Sequence, residues 1–285
     1  MSTEPTSTPA APSSAAPKPL DAGADGTTAP VVFGSVAASC SVNLDRPASV
    51  LAIGAHPDDI EFGCGATLAK WAAAGSTVHH LVCTDGSKGT WDAHQDPAEL
   101  VMLRQGEQRR AAAALGGTGE VVFLGWTDGE LDSGLRQRWE VAYWIRRLQP
   151  VVVIGHDPWK RYRLHPDHRH AGLLTVESIV AARDPLFFPE QNLAPHRPSA
   201  LLLFEADEVD HIEDVTGFAD TKFAGLFAHE SQFRSTMKID ATNAEGSNGA
   251  AQRQRFVDRI TDRLAQHGAV AGFTHGEAYK LISQL

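Results

Sequence analysis

The stretch Ser49-Val-Leu-Ala-Ile-Gly-Ala-His-Pro-Asp-Asp-Ile-Glu61 joins an apolar run directly to a packet of charge. The run is β-branched and small, too short for a helix. It ends in one imidazole and two carboxylates, followed by Gly63, Gly65 and a helix-like segment. A continuous apolar stretch of that length reads as a strand buried on both faces. Open α/β sheets gather ligands beyond the carboxyl ends of their strands, where loops can carry polar groups that a packed sheet cannot tolerate. His56, Pro57, Asp58 and Asp59 stand at such an end.

His56 and Asp59 are three apart across a turn stiffened by Pro57, so a nitrogen and an oxygen ligand can converge on one cation. Asp58 then points elsewhere, a carboxylate beside the metal but not on it. A catalytic zinc site takes about three protein ligands and keeps a further position for water, so one more ligand is owed. It is supplied by His165-Pro-Asp-His168, which repeats the three-residue spacing and the proline and again precedes a helical stretch, Ala171 to Ala182. Two such clusters, each at a strand-to-helix junction, point to a shared metal site. His79 and His80 are adjacent in a strand and face opposite sides; one is expected packed and the other solvated. Cys64 is expected to pack and not to ligate.

Between and beyond the clusters, strand-like and helix-like segments alternate. Strands are read at 77–83, 120–125, 151–155 and 200–205, and helices at 66–74, 100–115, 134–148, 171–182, 218–228 and 253–266. That alternation predicts a mostly parallel sheet flanked by helices, an α/β fold. Residues 1–29 are Ala, Pro, Ser and Thr with scarcely a large apolar side chain, which predicts a disordered tail ahead of a single domain at 30–285. A short Val31-Val32-Phe33 run suggests an edge strand, and Ser87 to Ala98 a long loop over the site.

Charge narrows the partners. A formal net charge of -10 argues against a nucleic-acid surface or an anionic membrane as the main partner, since both need clustered Lys and Arg. No stretch is apolar enough to span a bilayer or to act as a signal peptide. Three cysteines without a C-x-x-C pattern suggest reduced thiols and a cytoplasmic setting. The oligomeric state is left open, a homo-oligomer included. The loop Lys160-Arg-Tyr-Arg163, beside the second cluster, suits an anionic substrate group.

Taken together, His56-Pro-Asp-Asp59, Thr67, Thr84-Asp-Gly86, Arg104 with Glu107, and His165-Pro-Asp-His168 resemble the PIG-L/LmbE family of metal-dependent N-acetylglucosaminyl deacetylases. His229-Glu-Ser-Gln232 and Glu277-Ala-Tyr279 resemble its C-terminal signatures. The resemblance implies a Rossmann-like sheet and a zinc ion, or ferrous iron in some members. It also implies hydrolysis of an acetamide on a small-molecule amino sugar of the N-acetylglucosamine type. Carried onto this chain, His56, Asp59 and His168 would be the metal ligands and Asp58 the base that deprotonates the metal-bound water. His165, as a histidinium, would face the developing oxyanion or protonate the leaving amine, with Asp167 orienting it. Arg104 and Asp128 match positions that hold sugar hydroxyls in the family. An amidase of a thiol-sugar conjugate is the nearest alternative, distinguished by releasing a larger acyl fragment than acetate. A metal- or sugar-binding module without catalysis is the alternative outside the enzyme class, and it would need neither Asp58 nor His165.

Overall fold

The computed structural model describes residues 35–240 and 247–285. The expected tail at 1–29 and the run Val31 to Phe33 lie outside the described residues. The elements are β1 (Ser35–Val42), β2 (Ser49–Gly54), α1 (Asp59–Ala73), β3 (Thr77–Thr84), α2 (Pro97–Ala114), β4 (Val121–Trp126), α3 (Leu135–Leu148), β5 (Val152–His156), α4 (Pro166–Arg183), β6 (Ala200–Phe204), β7 (Glu208–Asp214), α5 (Ala219–Phe227), α6 (Ser247–Ala271) and β8 (Gly276–Ile282).

Side chains alternate across a strand, so a strand covered by helices on both faces must be apolar at every position. β2 meets that demand. Leu51 and Ile53 pack with Val141 and Ile145 of α3 and with Leu174 and Ile179 of α4, while Val50 and Ala52 pack with Ile60, Leu68 and Trp71 of α1. The strands form one sheet in the order β1-β7-β8-β6-β5-β2-β3-β4. β2 runs parallel to both β3 and β5, and β5 parallel to β6. β8 alone breaks the direction, antiparallel to β6 and β7. From β2 the chain moves outward through β3 and β4, then returns to β5 on β2's other side. The crevice where that order reverses is where such sheets bind ligands, and the carboxyl ends of β2 and β5 open onto it.

β7 and β8 escape sequence reading because their inward positions are partly polar. His211, Glu213 and Glu277 are all buried, which hides the alternation that marks a strand. Four helices begin earlier than the sequence suggests, α1 at Asp59, α2 at Pro97, α4 at Pro166 and α6 at Ser247. Proline suits the first helical position, where its missing N–H has no partner to lose. Pro166 therefore fixes where α4 begins, and both His/Asp clusters straddle a helix start.

α1 is broken at Cys64 (φ -144°, ψ 15°), and the break is filled from β8. Glu277 accepts hydrogen bonds from the N–H groups of Ala66 (3.1 Å) and Thr67 (2.8 Å), donors that the kink leaves without partners. Lys222 of α5 donates to the same carboxylate at 2.6 Å. At Gly63 a Cβ would stand 2.6 Å from the Phe204 ring, so only glycine lets this turn lie against β6. The opening turn of α1, with Asp59 and Glu61, is thereby set over the strand ends.

Candidate active site

Asp58 has φ 101° and ψ -28°, a left-handed conformation that costs a non-glycine residue about 1–3 kcal/mol. Hydrogen bonds on every side hold it there. Its N–H donates to Gln108 Oε1 at 3.0 Å, and Arg104 Nη2 donates to the Pro57 carbonyl at 2.6 Å. The N–H of His56 donates to Asp59 Oδ2 at 2.7 Å. Gln108 is itself anchored, its Nε2 donating to Glu61 Oε1 at 2.8 Å, and His229 Nε2 lies 3.0 Å from the other Glu61 oxygen. The carboxylate so held has the Arg104 guanidinium 3.6 Å from its Oδ2.

The two clusters meet above this turn. His56 Nδ1 lies 3.2 Å from Asp59 Oδ2 and His168 Nε2 3.3 Å from Asp59 Oδ1, and one donor atom from each of the three lies within 4.8 Å of the others. His156, the last residue of β5, adds its Nε2 at 3.3 Å from Asp59 Oδ2. Sequence reading gave His156 no role, although it ends its strand just as the His56 cluster follows β2; adjacency of the two strands is the missing signal.

Asp167 does not do what was expected of it. Its oxygens accept from the N–H groups of Gly129 (2.6 Å) and Leu131 (3.2 Å) and face His56 Nε2 at 3.0 Å. They make no hydrogen bond to His165. Asp167 lies in the first turn of α4 and points inward, wholly buried, whereas His165 is the exposed residue before the helix and its side chain does not cap it. The His165 ring instead meets the His56 ring edge-on at 4.6 Å and stacks on His168 at 4.8 Å. Asp128 also faces His56 Nε2, at 3.3 Å, and accepts from the N–H of Lys88 at 3.1 Å.

These placements decide the charges. Burial would lower the His56 pKa, but hydrogen bonds to Asp128, Asp167 and Asp59 outweigh it and push it well up. Burial would raise Asp59, yet His168 and His156 hold it well below the usual carboxylate range. The nest therefore calls for positive charge at its centre. Burial pushes His168 down to about 4, which leaves a neutral imidazole with a lone pair to offer. Two imidazoles and a carboxylate make a donor set suited to a divalent cation, and these residues fit one. Burial, with Asp59 beside it and Arg104 opposing, pushes Asp58 up to about 6, near the value that suits a base at neutral pH. Burial and the neighbouring His56 lower His165, so it rests as a neutral ring and not as the expected histidinium.

A pocket of about 510 Å³ opens over the cluster, with Asp58, Arg104, Asp128 and His165 in its wall together with Gly89 and Gln232. Arg104 is committed to backbone, donating to the carbonyls of Gly86 (2.9 Å) and Pro57. The loop after β3 reaches the pocket at Lys88 and Gly89, and Gln232 fastens it by donating to the Gly89 carbonyl at 3.0 Å. His229 is fully buried behind Asp58 and packs on Glu61. His79 and His80 are both buried, because β3 is an interior strand; His80 faces Gln108 at 3.3 Å and His79 accepts from the N–H of Glu120 at 2.9 Å. Cys64 packs in the core. Gln108 and Glu61 had no sequence signal, since a buried amide in a helix looks like any surface residue.

Residues 51–179, from within β2 to within α4, match the family described as PIG-L: GlcNAc-PI de-N-acetylase. A diacetylchitobiose deacetylase of Thermococcus kodakarensis is 36% identical over 187 residues, covering 65% of this chain and 70% of the relative. The chain belongs to the PIG-L family. Beyond the segment that defines PIG-L, a 1D-myo-inositol 2-acetamido-2-deoxy-alpha-D-glucopyranoside deacetylase of Kineococcus radiotolerans is 27% identical over 274 residues, covering 73% of this chain and 75% of the relative. Among solved structures, N,N'-diacetylchitobiose deacetylase from Pyrococcus horikoshii superposes with a TM-score of 0.73 at 28% identity, over 83% of this chain and 84% of that one. Both His/Asp clusters of this PIG-L chain fall inside the matched segment.

Proposed function

We propose that this PIG-L protein is a zinc-dependent N-deacetylase that hydrolyses the acetamide of an N-acetylglucosamine-type sugar or its conjugate. The observation that carries the reading is the convergence of His56, Asp59 and His168 at the pocket floor with a second carboxylate, Asp58, beside them but outside that trio. The deacetylase relatives supply the reaction class, and the two-imidazole, one-carboxylate set suits Zn2+ and also Fe2+. His56, Asp59 and His168 would hold the ion, with His156 and Asp167 fixing the ligands from behind. When bound, the ion supplies Lewis acidity toward an amide oxygen and acidifies water.

The chain's own residues perform the proton transfers. Asp58 takes a proton from the attacking water as its oxygen bonds to the acetyl carbon. The amide C–N bond then breaks, and the proton held by Asp58 passes to the departing nitrogen, giving acetate and a free amine. His165, on the open side of the pocket, offers its N–H to the oxygen that gains charge, a contribution worth about 3 kcal/mol where it has been measured elsewhere. Arg104 keeps the turn rigid and Asp58 oriented, and Asp128 stands where a sugar hydroxyl can reach it. Among the described residues no helix is long and apolar enough to cross a membrane. The cysteines at 40, 64 and 83 are free thiols, which supports a cytoplasmic setting.

The test is acetate release by zinc-loaded protein from a panel of N-acetylglucosaminyl compounds, with Asp58→Asn as control. Release that depends on Asp58 supports the reading. Release of a larger acyl fragment from a thiol conjugate, with no acetate from any sugar, would replace it by the amidase.

A further inference from the structure

A second cavity, of about 190 Å³, adjoins the reaction pocket. The two share Phe62, Glu205 and Arg263 in their walls. The charged lining of the second cavity is Lys160, Glu205, Lys222, Arg263 and Glu277, with His267 on the same side as Arg263.

Most of that charge is already matched. Lys222 is paired with Glu277 at 2.6 Å, and Glu205 with Arg163 at 2.8 Å. Burial, with Arg263 nearby, pushes His267 down to about 4, so it carries no charge at neutral pH. The loop Lys160–Arg163, expected from sequence to be a source of free positive charge, is largely spent: Arg161 pairs with Asp207 at 2.7 Å and Arg163 with Glu205. Lys160 remains, its ammonium donating only to the neutral Ala206 carbonyl at 3.1 Å. Arg263 remains too, with no ion pair or hydrogen bond to any described residue.

Arg263 is placed where that matters. It sits on α6 beside Ile260 and Leu264, both buried, so it lies at the margin of the helix's apolar face and is only half exposed. A partly desolvated guanidinium without a counter-charge is costly to keep. Its planar fork matches a carboxylate or phosphate through two parallel hydrogen bonds. The other cations of the reaction pocket are engaged, Lys88 with Glu130 at 2.8 Å and Arg104 with carbonyls and Asp58.

We propose that Arg263 and Lys160 form a subsite for an anionic group, carboxylate or phosphate, borne by the substituent of the sugar whose acetamide lies over His56 and His168. This rests on the deacetylase reading and names the substrate class within it. The second cavity receives the substituent, and Arg263, in the wall common to both cavities, reads its charge.

The experiment compares three matched substrates with zinc-loaded protein: methyl N-acetylglucosaminide, N-acetylglucosamine 1-phosphate, and the N-acetylglucosaminyl glycoside of a hydroxy acid. The parent protein should favour at least one anionic substrate over the neutral one by tenfold or more in kcat/KM, the preferred arm telling phosphate from carboxylate. Arg263→Gln should lower that anionic-to-neutral ratio about tenfold, chiefly through KM, and Arg263→Lys should restore part of it. Equal turnover of all three by the parent, or a loss in Arg263→Gln that falls equally on the neutral substrate, overturns the subsite and leaves the deacetylase standing. If no acetate appears from any substrate, the deacetylase reading fails, and the subsite is judged by calorimetric binding of the three compounds. Tighter binding of an anionic compound that is lost in Arg263→Gln supports it. Equal or absent binding overturns it.

Discussion

At His56–Asp59 nearly every polar group has a partner fixed by the fold. Asp58 N–H meets Gln108, the Pro57 carbonyl meets Arg104, and His56 is flanked by Asp59, Asp128 and Asp167. At His165–His168 the picture is the opposite for one member. His168 reaches Asp59, but His165 is exposed, leaves the start of α4 uncapped and touches only other rings. Two clusters with the same spacing and the same proline are thus built to different tolerances. The first is a rigid floor that stores strain at Asp58. The second contributes His168 to that floor and one exposed ring, His165, to the pocket wall. Spacing alone reports the shared metal chemistry; what lies behind each residue reports how firmly it is held.

The sharpest way to break the comparison is to delete one histidine from each cluster. Both His56→Ala and His168→Ala should lose tight metal binding, read by metal analysis after dialysis. Only His56→Ala should also unfold easily in chelator, because it removes the imidazole that the buried carboxylates of Asp128 and Asp167 share; breaking a buried pair costs about 3–5 kcal/mol. The His56 pKa is raised in the folded protein, so in chelator its contribution is complete below about pH 6.5, the ordinary value for an unfolded histidine. That contribution is lost as pH rises through the higher folded value. Thermal unfolding across pH checks this, and equal losses in both variants would erase the distinction between the clusters.

A smaller effect is expected at Gln108→Leu. The change leaves the Asp58 N–H without a partner and Glu61 Oε1 facing only His80 Nδ1 at 3.5 Å, a cost of about 1–3 kcal/mol for a buried polar group. It also frees the strained turn, so kcat should fall about tenfold with metal content and KM held. A drop in stability with kcat unchanged would mean that Gln108 supports the fold and not the orientation of Asp58.

The smallest change in stability belongs to His165→Ala. An exposed residue away from any cap or buried pair moves stability by no more than about 0.5 kcal/mol. Hydrolysis should nevertheless fall by about 10²-fold, as when one donor to a developing oxyanion is removed. A variant that melts with the parent and also turns over with the parent removes His165 from the chemistry.

Much of this was legible in the sequence, for reasons that can be stated residue by residue. The run at Val50–Ile53 announces a strand covered on both faces, and prolines at 57 and 166 mark the junctions where polar groups can gather. Two identical spacings point to a shared metal site, and it is the family resemblance that singles out His56, Asp59 and His168 within it. What stayed hidden depends on neighbours distant in sequence. His156 becomes part of the site only because β5 lies beside β2, and the partner of Asp167 is His56, 111 residues away. β7 and β8 bury His211, Glu213 and Glu277 against Ser41, Lys70 and Lys222, partners elsewhere in the chain, so their hydrophobic pattern is diluted. Gln108 and Arg263 look like ordinary helix-surface residues until the pocket forms around them.

The most direct measurement is metal content and acetate release determined side by side on Asp58→Asn. The substitution keeps the size of the side chain and removes its capacity to take a proton, while Asp59, His56 and His168 are untouched. One metal per chain together with hydrolysis reduced by about 10²–10⁴-fold, the usual worth of a general base, is the expected result. Full activity in Asp58→Asn would contradict the division of labour between the two adjacent carboxylates, and so would loss of the metal.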